Sequence, residues 1–193
     1  MKHLVLFDFD GTITKGDSFF KYLKFISGKY FYLKMMLCLP YILMYFIKIM
    51  SAQNLKEKIL WRYLKYKEIS ILKSKSVLFI AYLENQSIIK KSFIVMIEDY
   101  KKEGAEIAVV SASPDLWIDS FCEKHNLISI CTKLEVVNDF YTGSFLLPNC
   151  NGKEKANRIL QKFKVEEYEK ITAYGNSSGD KEMLELAKEK HMV

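Results

Sequence analysis

A chain of 193 residues, half of them hydrophobic, can bury one sizeable core or a core with a modest insertion, and is not a disordered chain. Its formal net charge of +6 comes from lysines interleaved with acids, without a concentrated basic block. That pattern argues against nucleic acid and reads first as solubility, second as attraction to anionic substrates or an anionic membrane surface.

Cys38, Cys122, Cys131 and Cys150 form neither a CxxC pair nor a zinc-like spacing with His. They read as small buried hydrophobes of a reducing compartment. The first element, Leu4, Val5, Leu6 and Phe7, is a continuous apolar run, as expected of a central parallel strand buried on both faces. It leaves no room for a leader, so a cytoplasmic protein is expected. The strand ends in Asp8 and Asp10, followed by Gly11 and Thr12. Ligands of a parallel sheet bind at the carboxyl ends of its strands, and two like charges two residues apart ask for a cation.

Residues 18–86 read as helical throughout, with Ser51 capping an amphipathic run and with Tyr, Phe and Trp61 supplying an internal core. Within them Met35 to Ile47 is an uncharged stretch of 13 residues between Lys34 and Lys48, interrupted by Pro40. It is shorter than the ~20 residues a spanning helix needs. The first expectation is a buried helix pair broken at the proline. The second is an interfacial segment dipping into a membrane, with Lys24, Lys29, Lys34 and Lys48 near anionic headgroups.

A helix is expected over Ser87 to Glu103, closed by Gly104 as a left-handed C-cap. "EIAVVSAS" reads as a second parallel strand, followed by a helix with Ser113 as N-cap and Pro114 at its first position. A short strand and a small hairpin turning at Asn138-Asp139 and Thr142-Gly143 come next. "GKEKANRILQKFK" is helical, "KITAYGN" is a buried strand, and "DKEMLELAKEK" is a final helix, with "HMV" placed where a last strand would begin. This alternation predicts an α/β protein, a three-layer Rossmann-like parallel-sheet core from 1–13 and 91–193 with a helical cap, 14–90, inserted after the first strand.

Polar groups therefore gather at the ends of three strands, namely Asp8 and Asp10, Ser111 and Ser113, and Asn176 and Asp180, with Lys153 and Lys155 at a helix start. "DFDGT", "VVSAS", "CNGKEK" and "YGNSSGDKEML", in that order, resemble the four motifs of the haloacid dehalogenase-like phosphatases, in the phosphoserine-phosphatase-like branch. The resemblance covers nearly the whole chain. It implies a phosphomonoester phosphatase that uses Mg²⁺ and an aspartyl phosphate, with Asp8 as nucleophile and Asp10 as acid and base. Ser111, the Ala112 amide, Gly11 and Thr12 would sit around the phosphate. The C-x-G-x-x-K register favours Lys155 over Lys153 as its cationic ligand. Asp8, the Asp10 carbonyl, Asn176 and Asp180 would hold the metal, Asn176 standing where the family usually has an aspartate.

The apolar cap and the form of the lysine motif look like the branch that includes phosphatidylglycerophosphate phosphatases. A lipid or other partly apolar phosphate is therefore the first substrate expected, with membrane contact through the cap. The alternatives are phosphoserine or another small metabolite, a phosphotransferase, or a binding protein with weak turnover; either a monomer or a homodimer fits the sequence.

Overall fold

A computed structural model of the protein describes residues 2–193. From β1 (His3–Phe7) the chain passes a single wide turn at Phe9–Ile13 and enters five helices, α1 (Phe19–Ser27), α2 (Phe31–Met36), α3 (Leu39–Phe46), α4 (Ala52–Leu64) and α5 (Ile69–Asn85). It returns through α6 (Lys91–Lys102) to β2 (Glu106–Pro114), α7 (Asp115–Lys124) and β3 (Ile128–Thr132). The hairpin β4 (Leu134–Val137) and β5 (Phe140–Phe145) follows, then α8 (Lys153–Lys162), β6 (Lys170–Gly175), α9 (Lys181–Glu185) and β7 (Glu189–Met192).

Five strands form one parallel sheet in the order β3-β2-β1-β6-β7. The unbroken apolar run of β1 is explained by its central place, because Val5 and Phe7 feed one core while Leu4 and Leu6 feed the other. On the first face α6 and α7 pack with the cap; on the second, α8 and α9 bring Ile159 and Met183. The strand order turns back between β1 and β6, and that switch point opens a crevice at the strand tips.

The cap shares its core with the sheet. Tyr22 of α1 stacks on Trp117 of α7 at 4.5 Å, and Phe79 of α5 meets the same indole edge-on at 6.4 Å. Truncating a fully buried Trp such as Trp117 to Ala would cost about 3–5 kcal/mol and loosen cap and core together. Entry to and exit from the cap are tied by two backbone bonds, Lys15 N–H to Ile88 O at 2.7 Å and Lys90 N–H to Ile13 O at 2.9 Å. This pairing delays α6 to Lys91, four residues after the expected start at Ser87. Its C-terminus is as expected, with Gly104 at φ +77°.

Three further expectations are corrected. Trp61 is not a core residue; it is 39 % exposed, with Arg62 and Lys65 over its ring, while Tyr22, Tyr63 and Phe79 fill the interior. The β4–β5 hairpin packs on that stretch of α4 so closely that a Cβ on Gly143 would stand 2.2 Å from the Trp61 Cα. Met35 to Ile47 is not a buried helix pair. Cys38 is buried, but Met36, Leu37, Leu39, Leu43, Phe46 and Ile47 are exposed, and Pro40 lies in the first turn of α3. The last helix stops at Glu185, and residues 189–192 form β7 on the sheet edge. The Glu-Lys-His-Met sequence of that strand lacks apolar alternation because an edge strand is protected by its charges.

Candidate active site

Asp8 follows β1 directly, and its N–H is fixed by the Tyr174 carbonyl of β6 at 2.8 Å. Its carboxylate is held from two sides, by Thr12 Oγ1 donating to Oδ2 at 3.0 Å and by Lys155 Nζ at 2.6 Å from Oδ1. The Lys155 ammonium is almost wholly buried. It also donates to Val110 O at 2.8 Å and Asp180 Oδ1 at 2.6 Å, so one cation joins the ends of β1, β2 and the β6 loop. Lys153, one residue into the same helix, is exposed to solvent.

Burial pushes the Asp8 carboxyl up to about 6, with Lys155 opposing and Asp180 adding to the rise. Burial also works against the charge on Asp180, but Lys155 and the donors of Ser177 and Asn176 outweigh it and hold that carboxyl below its ordinary value. Lys155 in turn is held above its ordinary value, the two carboxylates outweighing its own desolvation.

Asp10 lies on the wide turn, where Gly11 adopts φ +82° and its carbonyl accepts Lys90 Nζ at 2.7 Å. A Cβ on Gly11 would fall 1.8 Å from Asn176 Nδ2, so the turn and the β6 loop approach this closely only with glycine. The Asp10 carboxylate reaches towards the cap, accepting Ser18 N–H at 2.6 Å and Ser113 Oγ–H at 2.5 Å. Trp117 Nε1 donates to Ser18 Oγ at 2.8 Å, which completes the chain of donors behind it. Desolvation raises the Asp10 pKa, while the Ser113 and Ser18 bonds pull the other way.

Ser113 is therefore not the helix N-cap expected from the sequence. β2 runs on to Pro114, which takes the N-cap position of α7, and Ser113 turns its hydroxyl to Asp10. Ser111 Oγ accepts the Ser113 N–H at 3.0 Å and, with Ala112, lines the cavity.

The cavity has a volume of about 300 Å³. Its floor holds Asp8, Asp10, Ser111, Lys155 and Asn176, and Lys56 of α4 and Phe19 of α1 come down from the cap. Thr12 and Gly11, expected around the phosphate, are not among the lining residues: Thr12 orients Asp8 and Gly11 shapes the turn. Asp180, expected as a metal ligand, has Oδ1 on Lys155 and Oδ2 accepting from Asn176 N–H, Ser177 N–H and Ser177 Oγ–H. A carboxylate so engaged is a support for the lysine.

Asp8, Asp10 and the exposed Asn176 line the cavity together. A carboxylate, a main-chain carbonyl and a side-chain amide are oxygen donors of the chemistry that a hard divalent cation such as Mg²⁺ takes.

Sequence reasoning missed Lys56, Ser18 and Lys90, which belong to no motif. Lys56 is partly buried, and desolvation lowers its pKa although Asp17 and Asp10 pull it upward. Only its spacing on α4, on the same helix face as the buried Ile59, Leu60 and Tyr63, hints that it turns inward.

A central parallel sheet with a carboxylate at the β1 tip and a buried lysine beside it is the arrangement expected of a haloacid dehalogenase-type hydrolase. The family model described as haloacid dehalogenase-like hydrolase matches residues 5–185, and the chain belongs to that family. It is 30 % identical over 189 residues to Protein CicA of Caulobacter vibrioides, covering 97 % of this chain and 84 % of that protein. A Bordetella pertussis Tohama I protein of unknown function is similar in structure at TM-score 0.83 and 17 % identity, covering 98 % of this chain and 89 % of that one. A phosphoserine phosphatase solved as a phospho-aspartyl intermediate analogue matches at TM-score 0.64 and 19 % identity, over 98 % of this chain and 85 % of that one. The last two show the fold, a parallel core with flanking helices shared with the phosphoserine-phosphatase-like branch.

Proposed function

We propose that the protein is a Mg²⁺-dependent phosphomonoester phosphatase working through an aspartyl phosphate on Asp8. The observation that carries this reading is the placement of Asp8 on Lys155 and of Asp10 on Ser113 and Ser18 around one cavity.

Asp8 attacks phosphorus as the ester P–O bond breaks, and Asp10 gives its proton to the leaving oxygen. The desolvated environment of Asp10 suits a proton donor. Asp10 then takes a proton from water as that water attacks the aspartyl phosphate, releasing inorganic phosphate and restoring Asp8. Ser111 and the Ala112 amide donate to phosphoryl oxygens, and Lys155 offsets charge at the nucleophile. Asp8, the Asp10 carbonyl and Asn176 would hold Mg²⁺, which when bound supplies charge neutralisation between carboxylate and phosphate.

The substrate we favour is a lipid phosphate or another partly apolar phosphomonoester. A cavity of about 300 Å³ accommodates a headgroup while the rest of the molecule stays outside, beside the exposed apolar cap. The cap brings Lys56, Asp17 and Phe19 to the cavity, so the preference over phosphoserine rests on the exposed apolar cap outside it and not on a lack of charged groups within it.

Hydrolysis of an aryl phosphate by wild type and Asp8→Asn, with Mg²⁺ and with chelator, tests the mechanism. Metal-dependent release that is lost in the variant is expected. Release by Asp8→Asn at the wild-type rate would overturn it. Rates on a short-chain lipid phosphate no better than on the aryl ester would remove the lipid assignment alone.

A further inference from the structure

Residues 18–56 contain six lysines and not one Asp or Glu. Setting those six aside leaves 23 basic and 23 acidic residues, so the whole net charge of the chain belongs to this one segment of the cap. The same segment carries an exposed apolar face. Tyr32 and Leu33 of α2, Leu43 and Phe46 of α3, and Ile47 and Ile49 beyond it are each more than half exposed, Phe46 by 73 %. Single exposed apolar side chains are ordinary, but a run of them on two adjacent short helices marks an interaction surface.

We infer that this face docks onto an anionic lipid surface, lying in the headgroup region with α2 and α3 side-on. Among the described residues no helix is long and apolar enough to cross a membrane, and α3 with its eight residues is only about 12 Å long. Short helices with exposed aliphatic and aromatic side chains, flanked in the chain by Lys24, Lys29, Lys34 and Lys48, match interfacial segments. Lys24 Nζ lies 5.8 Å from the Tyr32 ring and Lys29 Nζ 5.3 Å from the Tyr30 ring, so ammonium groups stand beside tyrosines, a pairing that suits a bilayer boundary.

The charge decides between occupants. A twofold dimer through this face would set lysines against their own copies with no acid in the segment to meet them. An anionic membrane answers both the lysines and the apolar side chains. The segment that carries the docked face leads directly into α4, which starts at Ala52 and places Lys56 at the cavity. The inference rests on the surface alone and does not require turnover.

The test is flotation of the full chain with vesicles of phosphatidylcholine, or of phosphatidylcholine mixed with phosphatidylglycerol, at low and high salt. Binding to the mixed vesicles alone, weakened by salt, is expected. Each lysine removed in Lys24→Ala and Lys29→Ala should weaken partitioning by about fivefold. The double variant Phe46→Ser/Ile49→Ser should lose binding while keeping its circular dichroism and its aryl-phosphate hydrolysis, since both side chains lie outside the core. Wild type that stays unbound to the anionic vesicles at low salt would overturn the inference, as would binding that Phe46→Ser/Ile49→Ser leaves intact. A dimer in sedimentation that this variant dissociates, with no vesicle binding by wild type, would assign the face to a second copy instead.

Discussion

Lys155 Nζ stands 2.6 Å from Asp180 Oδ1, and both side chains are at most 2 % exposed. The same ammonium reaches Asp8, so Asp180 fixes the nucleophile through the lysine. Removing one partner of a buried pair leaves a charge in a poor dielectric, at a cost of about 3–5 kcal/mol. Asp180→Ala should therefore unfold well below wild type in a denaturant melt. Asp180→Asn, which retains an acceptor for Lys155, should unfold between the two. Equal midpoints for wild type and Asp180→Ala would show that the lysine does not need this partner.

Ser113 Oγ at 2.5 Å from Asp10 Oδ2 makes a second testable link. Without that hydroxyl the carboxylate keeps Ser18 N–H but loses the donor that aims it across the cavity. Ser113→Ala should lower kcat by about ten- to a hundredfold, the scale of a misplaced acid–base group. Inhibition by inorganic phosphate should be little changed, because Ser111 and Ala112 remain. A kcat equal to wild type would return Ser113 to a purely structural role.

Lys56 is the cation that the cap brings to the cavity, and no ion pair is formed by it among the described residues. Its position above the floor suits a contact to the leaving group or to a non-transferred phosphate oxygen. Lys56→Met keeps the length and apolar stem while removing the charge. The expected result is a KM raised about tenfold, equivalent to about 1.4 kcal/mol of binding, with kcat changed far less. A fall in kcat at constant KM would mean that Lys56 acts on the chemistry rather than on binding.

The parts of this fold legible in the sequence are those with short-range signals. The apolar run of β1 marked a central strand because burial on both faces removes alternation, and Gly104 marked the end of α6 because a left-handed residue is needed there. The C-x-G-x-x-K spacing pointed to Lys155, and geometry brings that lysine, not Lys153, to Asp8. What escaped depends on distant contacts. Ser113 sits where a cap is expected by local rules, but a carboxylate 103 residues away in sequence claims its hydroxyl. Met35 to Ile47 reads as core by composition, yet α4 covers only part of α2 and α3, burying Cys38 and leaving Leu43, Phe46 and Ile47 exposed, which no local pattern reveals.

Asp115 offers a pH test away from the active site. Burial pushes its carboxyl up to about 6, with Lys133 opposing and Asp119 adding to the rise, while its Oδ1 accepts Leu134 N–H at 3.3 Å. In the unfolded chain the group loses its proton near pH 3.8, whereas the folded protein keeps it until about 6. Between those values the folded state binds more protons, so stability falls as pH rises through that window and levels off above it. The loss amounts to at most about 3 kcal/mol, from 1.36 kcal/mol per unit. Asp115→Asn keeps the acceptor for Leu134 and has no proton to lose. Its Tm should therefore gain several degrees on wild type as pH is raised from 4 to 7, on the scale of about 2–4 °C per kcal/mol for a chain of this size. Thermal melts of the two proteins that stay parallel across that range would show that Asp115 pays no desolvation cost in the fold.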